Sequence, residues 1–385
     1  MNDQRSHKRG LLPHATRIVV KIGSTLLSDG HGFDTERLAR LVREICEIDR
    51  REIVVVSSGA VAAGMAKLKM LRMGNHPHSV PQRQAAAAIG QIGLMALYEQ
   101  NFAARGRSVA QVLLTHDDLA NRRRYINARH TFDELLAAGA IPVVNENDTV
   151  AVEEFLHFGD NDNLSALVAT LIGADLLVIL SDVAGLHTDN PSNCGDARRV
   201  AVVARIDQRI RDYVSDDDSG VGTGGMASKL RAAEKVTAAG IPCVIASGLQ
   251  PGALAAVFDP EADEGTLFLA PNNRLKQRKH WIAHTLVPSG ALSLDAGAIR
   301  AVVEQGRSLL PKGITAVSGT FDAGDCVACL TPDGDEVARG LVNYGHADLA
   351  EIRGHHSSEI QAILGYRLCD EAIHRDDLVL LKAPD

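Results

Sequence analysis

Two short polar clusters hold the residue types best suited to chemistry. Phe158-Gly159-Asp160-Asn161-Asp162-Asn163 sets two carboxylates, two carboxamides and a glycine directly before a run at 164–172 with helical apolar spacing. Asn145-Glu146-Asn147-Asp148 follows the apolar, strand-like run 140–144. A loop ending in an N-cap would use one or two of the first six residues, because Asp and Asn side chains bond nearby backbone N–H groups. That reading leaves the second cluster unexplained. Together the clusters suggest two loops, too polar for core, that recognise a small polar molecule. Two lysines join them. Lys21 lies in a β-branched run just before Gly23 and Ser24, either as an edge or snorkelling residue or as a point charge for phosphate oxygens. Lys229 closes Gly220-Val-Gly-Thr-Gly-Gly225-Met-Ala-Ser-Lys229, a stretch that either cradles phosphate on backbone N–H groups before a helix or acts as a hinge. Its GxGxxG match follows an acidic loop instead of a strand, so the dinucleotide motif fails its context, and no Walker A run is present.

The elements that must hold these residues alternate. Apolar runs at 17–23, 52–56, 109–114, 141–144, 176–180 and 243–246 read as strands, with helical spacing at 35–49, 82–104, 121–138 and 230–239. Alternation of this kind predicts an α/β fold, an αβα sandwich with a mostly parallel sheet. Ligands in such sheets sit beyond the carboxyl ends of the strands, so the ends after Lys21, Val56, Val144 and Leu180 are expected to line one cleft. After residue 271 the pattern changes. A basic linker over 271–286 leads into short apolar runs separated by Gly, Asp and Pro, which fit a small, mostly β barrel at 287–385. The expected division is a tail over 1–14, a catalytic domain over 15–270, the linker, and the barrel.

Composition narrows the function. The chain has 385 residues, enough for two domains, and a formal net charge of -8, so no global basic surface points to nucleic acid or an anionic membrane. Residues 285–385 hold eight Lys/Arg against fifteen Asp/Glu, which argues against an RNA-binding barrel. The polar first fourteen residues read as a frayed tail and no apolar run is long enough to span a bilayer, so a cytoplasmic protein is expected. Six scattered cysteines do not make a disulfide framework. Cys326 and Cys329 have ligand spacing but no companion pair, and on a strand they face opposite ways.

The motifs VVKIGS (19–24), VSSGAVAAG (56–64), IPVVNENDTV (141–150), FGDNDNLSALVA (158–169), SDVAGL (181–186) and GTGGMASK (222–229) resemble the amino acid kinase family in order and spacing. LLPKGI (309–314) and HHSSEIQAILGY (355–366) look like the members that carry a C-terminal PUA domain. The resemblance implies ATP-dependent phosphorylation of the side-chain carboxylate of L-glutamate to L-glutamyl 5-phosphate, the first step of proline biosynthesis. It implies Lys21 and Lys229 beside the transferring phosphoryl group with Asp162 holding them. It implies Ser58, Asn145, Asp148 and Asn161 at the amino acid, helped by Asp160. Gly23, Ser24, Ser181, Asp182, Thr223, Gly224, Gly225, Met226, Ala227, Ser228 and Lys229 fall to ATP. Mg²⁺ is expected through the ATP phosphates rather than a protein cage. Also implied are L-proline as a feedback inhibitor, a homodimer or homotetramer, and a glutamyl phosphate reductase downstream. Ser181 and His187 stand where the family often has threonine and tyrosine, and Ala227-Ser228 where it often has Ser-Thr. Competing readings are a kinase of the same fold acting on acetylglutamate, aspartate, carbamate or UMP, and a PUA-type RNA-binding protein.

Overall fold

The run Arg17–Ile22 (β1) is β-branched and apolar apart from Arg17 and Lys21, and folds as a strand buried along almost its whole length. A computed structural model describes residues 12–28, 33–48, 51–70, 79–151, 161–189, 195–214, 225–259, 261–271 and 287–381. In it β1 lies inside an eight-stranded sheet with Glu52–Ser57 (β2), Val109–Leu114 (β3), Ile141–Glu146 (β4), Leu176–Ser181 (β5), Val202–Val203 (β6), Cys243–Ser247 (β7) and Thr266–Phe268 (β8). The order is β3-β4-β2-β1-β5-β7-β8-β6. Pairing is parallel except between β7 and β8. Lys21 stands opposite Val56 on β2 and Ile179 on β5.

That order answers the cleft expectation directly. The strands ending near Val144, Val56, Lys21 and Leu180 are consecutive neighbours, and the chain leaves β1 towards β2 and returns on its other side at β5. This is the topological switch point at which open parallel sheets bind ligands.

The helices of three turns or more are Thr35–Glu47 (α1), Ala60–Met70 (α2), Val80–Ala103 (α3), Arg122–Ala137 (α4), Asn161–Leu171 (α5) and Met226–Ala238 (α6). Asp34 caps α1 by accepting from the Arg37 N–H, and Leu38, Leu41, Val42 and Ile45 form its buried stripe. Helices α2 and α3 pack by a different device. A Cβ on Gly64 would come within 1.7 Å of the Ala86 carbonyl oxygen, and one on Gly90 within 1.8 Å of the Ala60 carbonyl oxygen. Their small residues let two backbones touch, which explains a run that carries little amphipathic periodicity.

The chain divides into two compact units, Met1–Leu119 with Thr131–Asn272, and Ala120–His130 with Asn273–Asp385. Leu12 is buried in the core of the first, ahead of the boundary expected at residue 15. In the second, Gly290–Leu294 (β9), Ile314–Gly319 (β10), Cys326–Leu330 (β11), Glu336–Leu341 (β12) and Leu378–Leu380 (β13) form a sheet ordered β10-β9-β11-β12-β13. Only β9 and β11 pair in parallel. Cys326 and Cys329 are buried in separate apolar clusters on this sheet. Among the described residues no helix is long and apolar enough to cross a membrane.

Candidate active site

Both polar clusters lie deeper than their composition suggests. Asn145 and Glu146 are the last residues of β4, and Asn161, Asp162 and Asn163 are the first turn of α5. Asn145 is 2% exposed and Asp162 1%. The expectation that such segments are loops too polar for core is therefore corrected. Burial of these groups is tolerated because most find tertiary partners, which composition does not reveal. The same applies to the glycine-rich stretch, where the helix begins at Met226 instead of 230 and carries Met226 to Lys229 in its first turn.

A charged trio occupies the end of β1. Asp162 meets the Lys21 ammonium at 2.5 Å and the Lys229 ammonium at 3.6 Å, with all three side chains buried. Both are buried ion-pair contacts. Burial alone would raise the Asp162 pKa, but the charges of Lys21 and Lys229 outweigh it and hold the carboxyl below the usual range. Lys229 is lowered by burial, with Lys21 adding to that effect and Asp162 opposing it. Two ammonium groups share one carboxylate, so the trio keeps an excess positive charge that suits an arriving anion. Gly23 lies beside it, where a Cβ would stand 3.8 Å from the Lys21 Nζ, and Ser24 follows, exposed, at the end of the strand.

The second group is neutral. Asn161 donates through Nδ2 to Ser58 Oγ and to Asn145 Oδ1, each at 3.1 Å. Asn145 Oδ1 also accepts from the Glu146 N–H at 2.9 Å, and Asn145 Nδ2 donates to Gln91 Oε1 on α3 at 2.8 Å. Ser58 follows β2 and precedes Gly59, whose positive φ of 104° turns the chain into α2. Beneath it the buried Ser57 hydroxyl bonds Tyr98 OH at 2.8 Å. Asp148 sits just beyond β4. Burial pushes its carboxyl up to about 6, against the opposing pull of Arg83.

On the other side of β1, Ser181 ends β5 and donates to Asp182 Oδ1 at 2.8 Å. Gly225 is the N-cap of α6 and, having no side chain, supplies no side-chain cap; the helix opens on Met226, Ala227 and Ser228. Asp160, Thr223 and Gly224 lie outside the described residues. Sequence reading missed Gln91, Ser57 and Tyr98. The weak signal for Gln91 was a single carboxamide within the small and apolar run 85–97.

Residues 16–247 match the Amino acid kinase family and residues 290–364 the PUA domain. The chain belongs to the amino acid kinase family. Over 377 residues it is 48% identical to "Glutamate 5-kinase" of Trichlorobacter lovleyi, covering 97% of this chain and 99% of that one. It is 50% identical over 377 residues to the protein of that name from Geobacter metallireducens, covering 97% and 100%. The Myxococcus xanthus protein of the same name is 47% identical over 375 residues, covering 97% and 98%.

Proposed function

We infer that this chain is an ATP-dependent kinase that phosphorylates the side-chain carboxylate of L-glutamate to L-glutamyl 5-phosphate, the first step of proline biosynthesis. The observation that carries the reading is the buried Asp162 gripped by Lys21 and Lys229, set directly beside the Ser58–Asn161–Asn145 relay. Phosphoryl transfer asks a protein mainly for alignment and charge neutralisation. A glutamate carboxylate oxygen attacks the γ-phosphorus, a new O–P bond forms, the bond to the bridging oxygen breaks, and its electron pair leaves on ADP. The attacking carboxylate is already ionised near neutral pH, so no base is required.

In this reading Lys21 and Lys229 neutralise the oxygens of the transferring group, and Asp162 keeps two like charges at a working separation. Gly23 and Ser24 approach the phosphates, and the opening N–H groups of α6 at Gly225, Met226, Ala227 and Ser228 favour the same anion. Ser181 and Asp182, with Thr223 and Gly224, complete the nucleotide side. Ser58, Asn145 and Asn161 hold the amino acid with help from Asp160, and Asp148 faces its ammonium group. Asp162 is committed to two lysines, so Mg²⁺ is read as arriving on the ATP phosphates.

Residues 15–270 are taken as the catalytic domain and 287–385 as the PUA domain. A cytoplasmic location, feedback inhibition by L-proline, a homodimeric or homotetrameric assembly and hand-over to a glutamyl phosphate reductase belong to the same proposal. The test is ADP release measured side by side with L-glutamate, N-acetylglutamate and L-aspartate, with hydroxylamine trapping the acyl phosphate. L-Glutamate should give by far the highest kcat/KM and a hydroxamate. Preference for either alternative acceptor would move the chain to another branch of the family.

A further inference from the structure

One backbone group fixes the direction of the whole amide relay. The Glu146 N–H can only donate, and it donates to Asn145 Oδ1 at 2.9 Å. The Asn145 NH₂ must then point to Gln91, which must offer its Oε1, as the 2.8 Å contact records. Asn161 is set in the same way: its NH₂ serves Asn145 Oδ1 and Ser58 Oγ. Two groups are left over. Gln91 Nε2 is a buried donor and Asn161 Oδ1 a buried acceptor, and each lacks a hydrogen-bond partner. Such groups are costly unless something arrives to satisfy them.

An amino acid zwitterion has the matching pair, an acceptor carboxylate and a donor ammonium. Resting on the substrate reading above, we propose that Gln91 is a specificity-determining residue whose carboxamide NH₂ binds the α-carboxylate of the amino acid substrate. Its position is secured from behind. Gly90, the preceding residue, lies against the Ala60 carbonyl where a Cβ would come within 1.8 Å, so α3 is held against α2, close enough for Gln91 to reach β4. Asn145 then orients the carboxamide so that the donor, not the oxygen, remains free for the ligand.

Replacing Gln91 by glutamate separates a ligand contact from a purely structural one. Gln91→Glu keeps an oxygen for the Asn145 NH₂ but swaps the free donor for a negative acceptor. Gln91→Met removes both. A hydrogen bond to a charged group is lost in either variant, so Gln91→Met should raise the L-glutamate KM roughly 10- to 150-fold. Gln91→Glu should raise it further, while the KM for ATP stays close to wild type in both variants. If Gln91 only oriented Asn145, Gln91→Glu would restore wild-type kinetics while Gln91→Met would not, and the proposal would be overturned. Asn145→Ala, assayed in parallel, keeps the underlying reading separate: an unchanged glutamate KM there sinks the substrate site itself, whereas a raised KM with a normal Gln91→Glu sinks only the role of Gln91.

Should Gln91→Glu not fold, Gln91→Met decides alone through the ratio of kcat/KM for L-glutamate to that for 4-aminobutyrate, which lacks the α-carboxylate. That ratio should fall at least tenfold in the variant, about one hydrogen bond to a charged group. An unchanged ratio refutes the assignment.

Discussion

The two halves of the site lie side by side and are built on opposite principles. The Lys21–Asp162–Lys229 trio is ionic, and the Ser58–Asn161–Asn145–Gln91 relay is neutral. Charge attraction in a poorly polarisable interior is strong and weakly directional, so the trio can follow an anion as its charge redistributes between attacking and leaving oxygens. Amide hydrogen bonds are weaker but directional. Each Asn or Gln side chain commits one end to a neighbour and presents the other with a fixed sense. The ionic half is therefore suited to the transition state, and the amide half to choosing what is bound. If that division is right, damage to the first falls on kcat and damage to the second on KM.

The largest effect expected from breaking this contrast is Asp162→Asn. Removing one partner of a buried ion pair costs about 3–5 kcal/mol because the other charge is left uncompensated, and here two ammonium groups would be left facing each other. kcat should drop roughly 10²- to 10⁴-fold by that magnitude, with a much smaller change in the glutamate KM. Steady-state kinetics at saturating ATP reads this directly. A KM effect larger than the kcat effect would erase the division between the halves.

A pH profile sharpens the same contrast from the amide side, where Asp148 contributes a carboxylate. Its pKa is raised to about 6 by burial, with Arg83 opposing. In the free enzyme it is neutral below that value and negative above it, so kcat/KM for glutamate should fall about tenfold per pH unit on the acid side of 6 and level off above. Bound ammonium favours the ionised form, so the inflection in kcat should lie at lower pH. The glutamate side chain itself titrates near 4.3, too low to account for the profile. In Asp148→Asn the inflection near 6 should vanish and KM should rise. A profile that survives this substitution would assign the titration to another group.

What could be read from the sequence follows the same physical line. The central strands were legible because burial on both faces makes them continuous apolar runs, as in β2 and β5. β8 and β13 were missed because three residues carry no pattern. The polar clusters were recognised as chemically meaningful, yet read as loops, because a buried Asn145 or Asp162 is stabilised largely by residues far away in sequence. Lys21 is 141 positions from Asp162 in chain order but 2.5 Å away in space. Gln91 was hidden for another reason. The close crossing of α2 and α3 rests on glycine and alanine, which give no amphipathic stripe against which a lone polar residue stands out.

The mildest perturbation reaches the amide half from below. Tyr98 is fully buried on α3, and its hydroxyl shares a 2.8 Å hydrogen bond with Ser57, the residue before Ser58. Ser57 Oγ also lies 2.9 Å from the Ser58 carbonyl oxygen, so it can donate there while accepting from Tyr98. Tyr98→Phe keeps the packing and removes one donor, which costs about 1 kcal/mol for a neutral hydrogen bond, less if Ser57 keeps its bond to the Ser58 carbonyl. The stability loss should appear as a lower denaturant midpoint with an unchanged m-value. Because Ser58 is displaced little and stays tied to Asn161, the glutamate KM should rise only a few-fold and kcat should hold. A kcat loss in Tyr98→Phe comparable to that of Asp162→Asn would mean that the amide half also aligns the reacting carboxylate, and that binding and chemistry are not divided between the two halves.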